Sequence, residues 1–239
     1  MSDNGLHRSR KARLRAARAH AEGRDLHVPV RRVITRSTVR ILRELASVKM
    51  RCAVPCESGI EYDHYVVLDV RRDVSAFYAQ PERLRYLDPD GKLRSHYPDV
   101  RVEFVSGAVE FHEMKPDAVA DDPAFRSLQE CIAAAYAERG FEHLVMRESA
   151  VRAEPRLGNA KLLRHHRGRR VDAAALAAVR AALSGGDVAF GDLGTELGRG
   201  AAGDADLLAM ALQGHLDLDW ETVEIGPGTR VRLAQGRPR

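Results

Sequence analysis

The sequence predicts an α/β domain followed by a smaller, mainly helical domain. From about residue 54 to residue 147 the local signals indicate a helix, several strands, a second helix and a last strand, which is typical of a mixed sheet flanked by helices. After residue 170 the composition changes to alanine, leucine and glycine, and three short helices precede two strands. A chain of 239 residues is long enough for two such domains.

The elements of the first domain follow from local signals. Ser58 and Glu61 form an S-x-x-E capping box, which predicts a helix over residues 60–70. Pro123 suits the first turn of a helix and Gly140 suits its end, so a second helix is predicted over residues 122–139. Alternating or apolar runs predict strands at residues 74–79, 84–87, 96–105, 108–115 and 141–146.

The C-terminal part follows another pattern. Helices are predicted over residues 171–183, 190–197 and 204–215, and strands over residues 216–220 and 229–233. Three short helices followed by a two-stranded ribbon are typical of a winged-helix domain. We therefore predict three regions: a basic flexible arm at 1–28, a catalytic domain at 29–158 and a winged-helix-like domain at 159–239.

Positive charge is concentrated near the N-terminus. Residues 1–49 contain thirteen Lys or Arg residues and four Asp or Glu residues, although the net charge of the whole chain is only +4. Such an arm either contacts a polyanion, with Arg31, Arg32 and Lys49 as candidate DNA contacts, or is a solvated tail. There is no apolar run of membrane-spanning length and no secretory signal, so we expect a cytoplasmic protein without membrane contact. An arginine-rich start is also compatible with an organelle transit peptide.

The three cysteines do not indicate a metal site. Cys52 and Cys56 form a C-x3-C pair, but no second pair of Cys or His residues follows at the spacing of a zinc site. We therefore expect thiols here.

The candidate chemistry lies on the hairpin predicted at residues 96–115. Pro98 and Asp99 precede the turn, and Glu113, Met114 and Lys115 end the second strand. Residues two apart in a strand share a face, so Glu113 and Lys115 are expected to point the same way. Carboxylates that hold Mg²⁺ beside an ammonium group suit phosphodiester hydrolysis. Asp99, Glu113 and the Met114 carbonyl are the predicted metal ligands, and Lys115 is expected to orient the water or to stabilise the transition state.

The strand register decides whether the two acids meet. A three-residue loop centred on Ser106 places Asp99 opposite Glu113. A two-residue loop at Ser106 and Gly107 pairs Val102 with Phe111, which matches the apolar faces better. We expect this second register, with a bulge or sharp twist near Pro98 that brings Asp99 to the face of Glu113.

Five short motifs follow one another between residues 57 and 116: Glu57-Ser58-Gly59-Ile60-Glu61, Gln80-Pro81, Asp90-Gly91-Lys92, Tyr97-Pro98-Asp99 and Glu113-Met114-Lys115-Pro116. Their order and spacing are more specific than any one of them. Together they resemble the TnsA family of transposon endonucleases, which have a PD-(D/E)xK nuclease core of the restriction-endonuclease type. Two downstream stretches, 148–152 and 155–159, also resemble the end of the family's nuclease domain, and the likeness covers roughly residues 30–234.

The resemblance implies a Mg²⁺-dependent endonuclease, with Mn²⁺ expected to substitute, that hydrolyses phosphodiester bonds at the 5′ ends of a transposon. Its implied partners are double-stranded DNA, a DDE-type transposase that cuts the 3′ ends, and an ATP-dependent regulator. Carried over, the catalytic residues are Glu61, Asp99, Glu113 and Lys115, with Glu61 also a metal ligand. Glu57 is the alternative to Glu61, and Gln80 is expected to be structural or to face DNA.

The predicted third helix of the C-terminal domain departs from a DNA-reading helix. Residues 204–215 contain Asp204 and Asp206 but no Lys or Arg. A helix that reads bases normally presents cationic and amide groups, so docking of a protein partner fits better. DNA contacts are instead expected from the N-terminal arm and from a basic strip that contains Lys161, Arg164, Arg167, Arg169 and Arg170.

Two other functions stay open on the sequence alone. The same acidic site would serve a stand-alone nuclease of the restriction or repair kind. Alternatively, Asp99 and Glu113 do not converge, and the chain is a catalytically inactive DNA-binding scaffold.

Overall fold

A computed structural model describes residues 43–198 and 200–234 of the chain. The predicted arm at 1–28 and the candidate DNA contacts Arg31 and Arg32 lie outside the described residues, so these predictions stay as they are. None of the helices described is both long and apolar enough to cross a membrane.

The described strands are β1 to β11. In chain order they are β1 Arg43–Ala46, β2 Ala53–Cys56, β3 Val74–Ala79, β4 Leu84–Leu87, β5 Leu93–His96, β6 Val100–Phe104, β7 Val109–Lys115, β8 Glu142–Arg147, β9 Val188–Ala189, β10 Leu216–Leu218 and β11 Arg230–Leu233.

The described α-helices are α1 to α8, and a short 3₁₀ turn at Leu183–Gly185 follows α6. In chain order they are α1 Gly59–Val70, α2 Asp117–Ala120, α3 Pro123–Ala137, α4 Glu148–Val151, α5 Arg156–His165, α6 Ala173–Ala182, α7 Phe190–Glu196 and α8 Ala201–Leu212.

The described residues divide into two units that are not continuous in sequence. The first unit contains the residues up to Ser58 and Ser75–Met146, and the second contains Gly59–Val74 and the residues from Arg147 onward. Helix α1 is thereby grouped with the C-terminal part of the chain. The two units are defined by packing and not by chain order. The domain boundaries predicted at residues 28 and 158 therefore stay predictions.

The first unit is built on a four-stranded sheet in the order β3-β6-β7-β8, with β4 and β5 forming a separate hairpin. Strand β7 is buried over residues 111–114, on both of its faces. Phe111 stacks on Tyr136 of α3 with 4.3 Å between ring centroids, and Ile132 and Leu84 complete this core. Truncating an aromatic side chain in such a core typically costs about 3–5 kcal/mol. The core therefore holds β7 firmly where it carries Glu113.

Most of the predicted elements of this unit are confirmed within one or two residues. Asp122 caps α3, since its carboxylate accepts a 2.8 Å hydrogen bond from the Ala124 N–H. The α/β class with a mixed sheet and flanking helices is confirmed at that level, whereas the nuclease-like core and the winged-helix-like domain stay predictions.

The single strand predicted over residues 96–105 is wrong. The structure divides it into β5 and β6, with Tyr97, Pro98 and Asp99 between them. Proline has no N–H to give to a sheet, so it separates two strands that the apolar pattern alone would join. Asp99 consequently stands at the start of β6.

The expected register of the β6–β7 hairpin is also wrong. Val100 pairs with His112 and Val102 with Glu110, and the Phe104 N–H donates a 2.9 Å hydrogen bond to the Ala108 carbonyl. This is the register of the three-residue loop centred on Ser106. Gly107 has a φ of +90°. A three-residue hairpin loop needs a residue with a positive φ at this position, and glycine adopts it readily. Turn geometry thus prevails over the matching of apolar residues.

The second unit contains a three-stranded sheet in the order β10-β11-β9. The side chain of Asn159 in α5 makes three hydrogen bonds to the main chain of the loop between β10 and β11. Its amide nitrogen donates to the carbonyls of Trp220 and Val223, and its amide oxygen accepts from the Ile225 N–H. Helix α5 was not predicted, since its sequence was interpreted as a basic strip. It places Arg164 inside the unit.

Candidate active site

Asp99 and Glu113 lie opposite each other at the end of the β6–β7 hairpin. Val100 pairs with His112, so continuing the antiparallel register by one residue places Asp99 opposite Glu113. Opposed residues of an antiparallel pair share a face. No bulge is needed, and the expectation of a bulge or sharp twist near Pro98 is therefore corrected. The hairpin itself brings the two predicted carboxylates together.

A main-chain hydrogen bond holds the Asp99 carboxylate in place. Its Oδ2 accepts a 2.8 Å hydrogen bond from the N–H of Met114, the residue between Glu113 and Lys115. The bond ties the start of β6 to the end of β7. It fixes the side chain of Asp99 relative to the E-x-K segment.

Glu113 has a cation and an imidazole as neighbours. The Lys115 Nζ donates to Glu113 Oε1, as expected for residues two apart on one face of a strand. The His96 Nε2 lies 3.5 Å from the other carboxylate oxygen, Oε2. Glu113 is 7% exposed, so these contacts are made in a largely water-free setting.

The electrostatics of the site follow from its burial. Burial raises the pKa of Asp99 to about 7, and the charge of Glu113 raises this pKa further, while the Lys115 ammonium and the Met114 N–H oppose the shift. Burial, assisted by Lys115, lowers the pKa of His96 to about 4, so this imidazole is neutral near pH 7. The negative charge of each carboxylate makes ionisation of the other less favourable. A bound cation would offset this repulsion.

The residues present fit a hard divalent cation in donor type. Asp99 and Glu113 offer carboxylate oxygens, which Mg²⁺ and Mn²⁺ prefer, and the Met114 carbonyl is the predicted third ligand. Within the described residues there is no group of three or more His, Cys, Asp or Glu side chains arranged to hold a metal ion. A cation at this hairpin would therefore depend on two carboxylates, completed by main-chain oxygen or water, as Mg²⁺ sites commonly are.

The two candidates for a further carboxylate fall in different units. Glu61 lies in α1, is 7% exposed and belongs to the second unit, so its catalytic role stays a prediction. Glu57 belongs to the first unit and accepts a hydrogen bond from the Gln80 amide nitrogen. Its charge also contributes to the raised pKa of Asp99. Glu57 is therefore part of the electrostatic environment of the candidate site.

Gln80 is a buried member of this group. It is 6% exposed, and its main-chain N–H donates a 2.9 Å hydrogen bond to the Asp99 carbonyl. Of the two roles predicted for Gln80, this burial favours the structural one, and direct contact with DNA stays a prediction.

Two histidines beside the site are not predicted by the sequence pattern. His96 faces Glu113, and the ring of His143 in β8 lies 5.7 Å from that of His96 and stacks on Tyr136. The sequence did offer one signal for His96, which is its position three residues before Asp99. His143 carried no such signal, because the pairing of β8 with β7 is a long-range contact.

The predicted basic strip does not form one surface. Arg164 is 6% exposed and its Nε lies 2.8 Å from Oδ2 of the buried Asp69, so its guanidinium is engaged inside the second unit. The Nε of Arg169 lies 2.6 Å from Asp206, and the Nζ of Lys161 lies 3.1 Å from Asp63. Arg167 and Arg170 are exposed, and Lys49 is half-buried in the β1–β2 turn. As DNA contacts, Arg167 and Arg170 fit the structure best.

Comparison with known proteins adds no family assignment. No protein-family model matches the chain, and no curated protein matches it significantly.

Proposed function

We propose that the chain is a Mg²⁺-dependent DNA endonuclease that acts as a subunit of a transposase and hydrolyses phosphodiester bonds at the 5′ ends of a transposon. The observation that carries the proposal is the register of the β6–β7 hairpin, which sets Asp99 opposite Glu113 with the Lys115 ammonium at the Glu113 carboxylate. The resemblance of the motifs to the TnsA family supplies the substrate and the partners.

The proposed roles of the residues follow from their charges. A bound Mg²⁺ supplies Lewis-acid activation of the phosphate and of a water. Asp99, Glu113 and the Met114 carbonyl would hold this ion, with Glu61 as the implied helix carboxylate. Lys115 offsets the negative charge that develops on the phosphate oxygens in the transition state. Burial of the site strengthens each of these interactions relative to water.

The second unit supports docking of a protein partner more than reading of DNA sequence. Its order α6, β9, α7, α8, β10, β11 and its three-stranded sheet support a winged-helix-like domain. The third helix, α8, buries Leu207 and Met210, and its Asp206 is paired with Arg169. The proposed partners are the DDE-type transposase and the ATP-dependent regulator. DNA would be contacted by Arg167, Arg170 and the N-terminal arm.

Strand cleavage on transposon-end DNA tests the proposal. With its transposase partner and Mg²⁺, the wild-type chain should cut the 5′ ends, and Asp99→Asn should not. Transposase-type subunits should be nearly silent alone. Sequence-preferring cleavage of plain duplex by the isolated chain would instead favour the stand-alone restriction or repair nuclease.

Two observations favour a second candidate, the catalytically inactive DNA-binding scaffold. The described residues contain no three-ligand cluster of His, Cys, Asp or Glu, and Lys115 already neutralises part of the charge of Glu113. A scaffold would bind DNA through its basic residues but would bind no divalent ion at Asp99. Metal binding, measured without any substrate, therefore separates the two candidates.

A further inference from the structure

The β4–β5 hairpin has one face packed on the first unit and one face open to solvent. Leu84 belongs to the core that contains Tyr136 of α3, and Tyr86 packs against this core. Side chains alternate along a strand, so Arg85 and Leu87 point to the opposite side. Both are exposed. The hairpin therefore presents a second face that the described part of the chain leaves uncovered.

Two leucines lie next to each other on this second face. Leu87 is 60% exposed and Leu93 is 56% exposed, and the register of the hairpin places them opposite each other. Single exposed leucines are common on protein surfaces, whereas a cross-strand pair makes a continuous apolar patch. The other pair on this face is Arg85 with Ser95, and both residues are exposed. These two pairs make up the outer face of the hairpin.

The charges of the hairpin leave an excess of positive charge beside the apolar patch. Residues 82–96 contain three acids, and each lies beside a cation, in the pairs Asp88–Arg94, Asp90–Lys92 and Glu82–Arg139. Arg83 and Arg85 are exposed, and neither has an ion pair with any residue that the structure describes. Duplex DNA complements this combination, since it is a polyanion whose grooves also present apolar methyl groups.

The turn at the tip of the hairpin is held by the side chain of Asp88. Its Oδ1 accepts hydrogen bonds from the N–H groups of Asp90, at 3.0 Å, and Lys92, at 2.8 Å. The Asp88 N–H donates a 2.9 Å hydrogen bond to the Lys92 carbonyl, and Gly91 supplies a φ of +74°. The tip is therefore ordered before a partner binds, which lowers the entropic cost of binding.

The base of the hairpin adjoins the candidate active site. Leu84 pairs with His96 at this end, and the His96 Nε2 lies 3.5 Å from Oε2 of Glu113. Residues along a strand are about 3.4 Å apart, so the leucine pair lies about 10 Å from the Leu84–His96 pair. The major groove of DNA is about 12 Å wide and admits a two-stranded ribbon. A duplex bound at the candidate site is therefore within reach of the hairpin.

We propose that the outer face of the β4–β5 hairpin binds in the major groove of duplex DNA, with Arg83 and Arg85 on phosphates and Leu87 and Leu93 on base edges. The inference rests on the proposed function, since the partner is the duplex that the candidate site would cut. With the outer face on the bases, the phosphate backbones run along the sides of the hairpin. The candidate site at its base then lies next to one of them.

The test measures binding of a short fluorescein-labelled DNA duplex to the full chain, by fluorescence anisotropy in EDTA at several NaCl concentrations. EDTA removes divalent ions, so this binding does not depend on the candidate cation site. One variant combines Arg83→Ala with Arg85→Ala, and the other combines Leu87→Ser with Leu93→Ser. Arg126→Ala is the matched control, because Arg126 is an exposed arginine of α3 that also has no ion pair among the described residues. Thermal melting checks that each variant is folded.

The two hairpin variants should weaken DNA binding in different ways. The arginine variant should reduce the slope of log affinity against log salt concentration by about 2, because each phosphate contact contributes about 0.9 to this slope. The leucine variant should weaken binding roughly tenfold and leave the slope unchanged, because apolar contacts release no counterions. Arg126→Ala should retain the affinity and the slope of the wild type.

Three results would overturn the inference. Wild-type affinity and slope in both hairpin variants would show that the outer face does not contact DNA, and Asp99-dependent cleavage by the same variants would leave the proposed function standing. An equal loss in Arg126→Ala would show diffuse attraction to positive charge. A leucine variant that binds DNA normally but converts a dimer into a monomer in sedimentation would assign the patch to a second copy of the chain.

The reverse result separates the two proposals from the other side. Weakened binding in both hairpin variants, with no Mg²⁺-dependent cleavage by the wild-type chain and its transposase partner, would support the DNA-binding hairpin and reject the proposed nuclease function.

Discussion

The main-chain N–H of Met114 donates a 2.8 Å hydrogen bond to the Asp99 carboxylate, and this bond joins the two halves of the candidate site. Met114 lies between Glu113 and Lys115, so the bond fixes the acid of one strand against the E-x-K segment of the next. A carboxylate held in this way cannot swing toward solvent without losing a charge-assisted hydrogen bond. The site is therefore preorganised by the sheet that carries it.

Lys115→Ala should abolish Mg²⁺-dependent strand cleavage and leave the fold intact. Loss of one cationic group that stabilises a transition state typically costs about a hundredfold to a thousandfold in rate. The side chain is 27% exposed, so its truncation opens no deep cavity. Nicking of transposon-end DNA and a thermal melt are the two measurements. Unchanged nicking by this variant would remove Lys115 from the mechanism.

His143→Phe should make the chain more resistant to mild acid. Burial, with His96 and His112 nearby, lowers the pKa of His143 from 6.5 to about 4. As the pH falls below 6.5, His143 becomes protonated in the unfolded chain but stays neutral in the folded chain. The free energy of unfolding therefore decreases between pH 6.5 and pH 4. Phenylalanine does not titrate, and it keeps the stacking on Tyr136.

Chemical denaturation at pH 7 and pH 5 measures this effect. Between these pH values the free energy of unfolding should fall by about 2 kcal/mol less in His143→Phe than in the wild type. An equal fall in both proteins would show that His143 is protonated as readily in the folded chain as in the unfolded one.

Gly107→Ala should destabilise the hairpin that sets the register. Gly107 has a φ of +90°, and an alanine there costs about 1–2 kcal/mol. Gly168→Ala is the matched control, because that glycine is also in open space but is not among the residues with a positive φ. Urea denaturation of the two variants should separate them. Equal stability of both variants would mean that the turn does not enforce the register.

Arg164→Ala should lower stability, whereas Arg170→Ala should lower affinity for DNA. Arg164 is buried against Asp69, and removing one partner of a buried ion pair typically costs about 3–5 kcal/mol. Arg170 is exposed, so its loss should weaken DNA binding and its salt dependence without changing the melting temperature. Melting curves and a DNA-binding titration check both halves. A fully stable Arg164→Ala variant would contradict the buried pairing.

Local signals in the sequence are sufficient for most of the elements between residues 54 and 147. The capping position of Ser58, the Pro123 start and the Gly140 end depend on neighbours within one turn, and the helices and strands next to them begin and end where expected. The proximity of Asp99 and Glu113 follows from the three-residue loop, which is one of the two hairpin registers that the sequence allows. These features are local, and local physics determines them.

The remaining features depend on contacts that are distant in sequence. Apolar matching predicts the wrong hairpin register, because the positive φ of Gly107 favours the three-residue loop. Arg164 was interpreted as a surface cation because its partner, Asp69, lies 95 positions earlier in the chain. The link from Gln80 to Glu57 spans 23 positions and has no sequence pattern of its own. Such pairings become visible only when the tertiary packing is known.

We propose that Asp99 and Glu113 share one divalent cation, and calorimetric titration with Mn²⁺ measures this binding without any substrate. The titration is run near pH 8, above the pKa of about 7 of Asp99, so that proton release does not oppose binding. The wild-type chain should bind Mn²⁺, and both Asp99→Asn and Glu113→Gln should lose this binding while remaining folded. Binding that survives both substitutions, or no binding by the wild-type chain, would contradict the claim.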